Sequence, residues 1–133
     1  MKRAVSILSV DSLAGMAVGA LTLALTPLLT GEYFAWPIGY VLWIGGANLL
    51  YGCYSGVLVL RARRTGSIWQ AGVILLIIAN SVWAGQCFAQ IWWLLKSGEP
   101  PLLMLLHMGL EGVFVAALSF VEAKLVLPVS FRD

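Results

Sequence analysis

The chain has 133 residues, of which 61% are hydrophobic and only 11% charged, with 8 Lys+Arg against 6 Asp+Glu and a formal net charge of +2, whereas soluble domains run at about 45–50% apolar and about 25% charged. So few charges cannot cover a water-exposed surface, and the abundance of branched and aromatic residues excludes a disordered chain. The basic residues form no stripe that would track phosphates, which excludes nucleic-acid binding, so the apolar residues face a lipid bilayer and the length suits a single domain.

Four apolar stretches are long enough to cross a bilayer, which takes about 20 residues. They run over about 4–30, 34–60, 67–95 and 101–126, interrupted in the first by Asp11 and not interrupted by charge in the second and third. The Met-Lys-Arg opening resembles the start of a signal peptide, but Asp11 falls where an uncharged run belongs and the apolar stretch exceeds about 15 residues. The first span is therefore expected to stay as a membrane helix. Thr26-Pro27 is expected to kink or end it, because Pro removes a backbone donor. Pro37 falls near the start of the second span, where its missing amide is tolerated.

The apolar runs show no period-two alternation, so a β-barrel is excluded. Short connections at 31–33, 61–66 and 96–101 leave no room for a soluble domain and make sequential helices antiparallel neighbours. The expected fold is an all-α integral membrane protein, an antiparallel four-helix transmembrane bundle. Lys2 and Arg3 precede the first span, Arg61, Arg63 and Arg64 join the second to the third, Lys124 and Arg132 close the chain, and Lys96 alone lies on the other side. Basic residues are retained on the cytoplasmic side, so both termini are expected there, in the inner membrane of a bacterium. Tyr33, Trp36, Tyr40 and Trp92-Trp93 fall at outer span ends and Trp69 at an inner one, as expected of rings at headgroup level.

At about 100° per residue, small and polar residues gather on one face of each span. Asp11, Gly15, Gly19, Thr22 and Thr26 share a stripe, as do Gly45, Asn48, Gly52 and Ser55, then Asn80, Trp83, Cys87 and Gln90, and finally His107, Glu111 and Glu122. Polar groups left unpaired in hydrocarbon cost several kcal/mol, so these faces are expected to turn inward. Gly15/Gly19 and Gly52/Gly56 are GxxxG pairs that let helix backbones approach, within one bundle or across a homodimer.

The echo Ala47-Asn48-Leu-Leu-Tyr51-Gly52 and Ala79-Asn80-Ser-Val-Trp83-Ala84 places two Asn near mid-span, where they are expected at similar depth and within reach of each other. His107 and Glu111 stand one turn apart, with Glu111 near the midplane. A carboxylate at that depth costs at least about 2.5 kcal/mol on insertion scales and marks a functional candidate. Such a pair suits carrying a proton or holding a cation; as plain helix glue it would be a costly choice. Asp11 is expected to meet a snorkelling Lys124 or a side chain of the Arg61 loop, and Glu122 and Lys124 to be solvated near the interface. Gln90 is a secondary polar candidate.

Cys53 and Cys87 differ in depth by roughly 18 Å, too far for a disulfide, and one histidine supplies no metal or haem ligand set. No nucleophile with its base and no phosphate loop completes a catalytic site. The expectation is a non-enzymatic membrane protein without cofactor or metal, acting as an accessory subunit or interaction partner. Its alternative is a small proton-coupled transporter or channel built on Glu111, His107, Asn48 and Asn80, acting as a homodimer or in a larger complex.

Overall fold

A computed structural model describes residues 1–32, 34–98 and 101–130; Tyr33, Pro100 and Arg132 lie outside the described residues. The described chain is all helical: α1 (Lys2–Ala24), the single turn α2 (Thr26–Leu29), α3 (Ile38–Thr65), α4 (Gln70–Ser97), α5 (Leu102–Val121), a π-helical stretch over Glu122–Val126, and α6 (Leu127–Ser130). Four helices are long and apolar enough to cross a membrane, as a multi-pass membrane protein requires, the fourth running unbroken over Leu102–Ser130.

Local chemistry explains the boundaries. α1 stops at Ala24 because Pro27 has no N–H for the Leu23 carbonyl, and the Thr26 hydroxyl donates to that carbonyl instead at 2.8 Å. The apolar run ends at Leu60, yet α3 continues through the arginines to Thr65 and ends on Gly66 at φ 70, a left-handed conformation glycine adopts without strain. Headgroup-level water does not break helix hydrogen bonds, so hydropathy and helix ends need not coincide. Arg61 lies over the Trp69 ring at 5.3 Å and Lys96 over Trp92 at 4.6 Å.

The bundle divides into two close pairs, α1 with α3 and α4 with α5. In the first, backbones touch through glycine: a Cβ on Gly15 would stand 2.9 Å from Gly52 N, and one on Gly19 2.6 Å from Leu49 N. Gly56 faces the Ser12 hydroxyl. The four GxxxG glycines thus work within the chain. In the second pair Gly112 admits Cys87 and Phe88.

Large side chains hold α3 and α4 farther apart, Tyr51 donating to the Ala79 carbonyl and Tyr54 to the Gly72 carbonyl, each at 3.0 Å. α1 approaches the fourth helix chiefly at the π-helical stretch. Apolar clusters fill both ends, Ala4, Leu8, Leu58, Leu76 and Val126 at one and Trp36, Val41, Met104 and Met108 at the other. Trp36, just before Pro37 at the N-terminal end of α3, is buried against Tyr40 and His107. Trp92 and Trp93 are exposed.

Candidate functional site

Between the two apolar ends lies a cavity of about 260 Å³ bordered by all four long helices. α1 contributes Asp11, Gly15 and Val18, α3 Asn48 and Tyr51, α4 Asn80 and Trp83, and α5 His107, Glu111 and Phe114. The inward faces expected from the stripes therefore meet around a space.

The Glu111 side chain is 7% exposed. Its Oε1 accepts two short bonds, from Asn48 Nδ2 at 2.6 Å and from Trp83 Nε1 at 2.7 Å. Oε2 is buried and has no hydrogen-bond partner, with His107 Nε2 at 3.6 Å. Carboxylate and neutral acid alike can accept two donors on one oxygen. Oε1 is thus held in either protonation state, and a proton can come or go at Oε2.

His107 stands between this group and the Tyr40 hydroxyl. Its side chain is 27% exposed, and Nδ1 lies 3.4 Å from the Tyr40 hydroxyl. When Tyr40 donates to Nδ1, the ring proton sits on Nε2, facing Glu111.

A second acidic cluster lies about three turns further along the fourth helix. Glu122 is 0% exposed and accepts from Asn80 Nδ2 at 3.1 Å through Oε2, while its Oε1 has no partner. The Asp11 carboxyl is buried on α1 in the neighbourhood of Ser55, Asn80 and Glu122. Asp11 Oδ2 is also without a partner.

These positions correct three expectations. Glu122 is not solvated: the fourth helix runs on to Ser130, which puts Glu122 roughly 12 Å from its end, and the π-helical stretch keeps both Glu122 and Val126 buried. Asp11 has no ion pair among the described residues. Lys124 turns away to the Phe120 ring and Arg61 to Trp69. Asn48 and Asn80 do not bond one another but serve different carboxylates. Each precedes the centre of its helix by a few residues, and in antiparallel helices that displaces them in opposite directions, on the order of 10 Å in total.

Gln90 does not border the cavity and lines a separate groove with Tyr40, Trp93 and Met104. Cys53 is exposed and Cys87 buried, both as free thiols. No group of three His, Cys, Asp or Glu converges to hold a metal ion among the described residues. The role of Trp83 as a donor to Glu111 was missed, although its place in the Asn80 stripe signalled an inward ring. Comparison with protein families, curated proteins and solved structures finds no match to this chain.

Proposed function

We propose that the protein is a small, non-enzymatic, proton-coupled membrane transporter in which Glu111 carries the proton and His107 connects it to the outer side. One observation carries this reading: Glu111 is anchored through Oε1 by Asn48 and Trp83 while its buried Oε2 is left free at a cavity wall. An accessory subunit, whose polar groups serve only to join helices, would be expected to engage those oxygens. Here Glu111, Asp11 and Glu122 each keep one unbonded.

Lys2, Arg3, Arg61, Arg63 and Arg64 at one end of the bundle against Lys96 at the other support cytoplasmic termini by the positive-inside rule, in an inner membrane if the chain is bacterial. His107 then faces outward. Val18, Leu110 and Phe114 border the cavity yet are exposed on the bundle surface, so it opens sideways between α1 and α5. Lipid borders that opening in this reading.

The test is infrared difference spectroscopy of the protein in lipid, with the Glu111 carboxyl band identified by its loss in Glu111→Gln. The band is expected to appear and vanish reversibly as bulk pH is changed. A band invariant from acid to alkaline pH would mean a sealed, purely structural carboxyl and would return the protein to the accessory-subunit reading.

A further inference from the structure

We infer that the ligand of the central cavity is a small organic monocation with an apolar body and an ammonium head, which displaces the proton from Glu111. The inference rests on the assignment of Glu111 as the proton carrier and goes on to name the substrate class. It stands first on which hydrogen-bonding groups of the wall remain unengaged. The Asn48 amide donates to Glu111 and to the Ile44 carbonyl, Trp83 Nε1 to Glu111, Asn80 to Glu122 and the Tyr51 hydroxyl to the Ala79 carbonyl. The unpartnered oxygens on the wall are Glu111 Oε2, on a side chain 7% exposed, and Asp11 Oδ2, on a residue 7% exposed, with His107 Nε2 3.6 Å from Glu111 Oε2. A ligand that satisfies Glu111 Oε2 must donate, and an ammonium brings three N–H donors and a positive charge. An anion or a sugar-like ligand would find few donors beyond the His107 ring N–H.

The rest of the wall selects the body. Tyr51, Trp83 and Phe114 border the space with Leu110, Val115 and Leu118, an apolar and aromatic lining that also attracts a cation through ring faces. A space of about 260 Å³, open on one side, suits a small organic ligand better than a lone ion. A bare metal ion is disfavoured, since no set of three ligating side chains converges among the described residues. The sideways opening between α1 and α5 suits an amphiphile arriving from the bilayer. Binding exchanges one charge for another: neutral Glu111 gives up H⁺ as R–NH₃⁺ takes its place against the carboxylate, so the net charge of the site is unchanged.

The experiment is calorimetric titration of the full chain in lipid nanodiscs with 2-phenylethylammonium, in two buffers of different ionisation enthalpy that report proton release. Its neutral counterpart 2-phenylethanol is titrated in parallel. Saturable binding with release of about one proton is expected, at least tenfold weaker for the alcohol and at least tenfold weaker in Glu111→Gln. The inference is overturned if the alcohol binds as tightly, if Glu111→Gln binds like the wild type, if no saturation is reached at tens of millimolar, or if Na⁺ alone releases the proton. The alcohol comparison on the wild-type protein holds even where a variant fails to fold. Absent cation binding with a Glu111 band that still titrates removes the substrate class alone; an invariant band removes the proton-carrier reading beneath it.

Discussion

Replacing Gly52 by Ala tests whether the glycine face of α3 is a close seat for α1. The added Cβ would stand 2.5 Å from Met16 N and 2.9 Å from Gly15 C. Both contacts are backbone atoms of a helix, which cannot rotate away as a side chain would. α1 and α3 must part by about 1 Å, and such overpacking costs about 1–3 kcal/mol. Gly46 lies on the same helix with nothing within 4 Å of its would-be Cβ, and Ala there should gain about 0.5–1 kcal/mol from lower backbone entropy in the unfolded chain. The two single-methyl variants are therefore expected to differ by about 1.5–4 kcal/mol in opposite senses. Reversible unfolding in mixed micelles, followed by circular dichroism over an SDS titration, measures this difference. Coincident curves for Gly52→Ala and Gly46→Ala would refute the close seat. A loss seen only in dimer content would assign the glycines to a homodimer instead.

Trp83→Phe removes the 2.7 Å donor to Glu111 Oε1 and is expected to cost about 0.5–1.5 kcal/mol, as for a hydrogen bond to the neutral acid; an unchanged thermal midpoint would contradict it. Thr26→Val removes the hydroxyl bonded to the Leu23 carbonyl at a cost of about 1 kcal/mol, and adding Pro27→Ala should recover that stability, because the new backbone N–H can then reach the same carbonyl. For orientation, single cysteines at Thr65 and Ser97 in a chain lacking Cys53 and Cys87 are expected to react with impermeant thiol reagents from opposite faces of sealed vesicles, Thr65 from the cytoplasmic side. Labelling of both from one side would contradict antiparallel α4.

Much of the site was legible in the stripes. Asp11, Asn48, Asn80, Trp83, His107 and Glu111 were read as inward-facing, and all border the cavity. Helical periodicity fixes the rotation of a residue about its own axis, and the high cost of unpaired polar groups in lipid fixes which side turns inward. Depth was less legible. Glu122 looked interfacial because hydropathy falls near Val126, while the helix itself runs on to Ser130.

Composition and the placement of charge determine by themselves that this chain builds four apolar helices of spanning length, because the bilayer acts on length and hydropathy one segment at a time. The GxxxG spacing allows close packing within one bundle or across a homodimer, and in the folded chain Gly15 and Gly19 seat on α3. Only the tertiary structure decided that the polar faces enclose a space instead of closing on one another, and which oxygens stay free in it. Those outcomes depend on the relative depth and separation of helices far apart in sequence. The hydroxyls of Tyr51 and Tyr54 reach across to α4 while glycines draw α1 onto α3, and the unequal spacing leaves Glu111 Oε2 and Asp11 Oδ2 at the cavity wall without a partner.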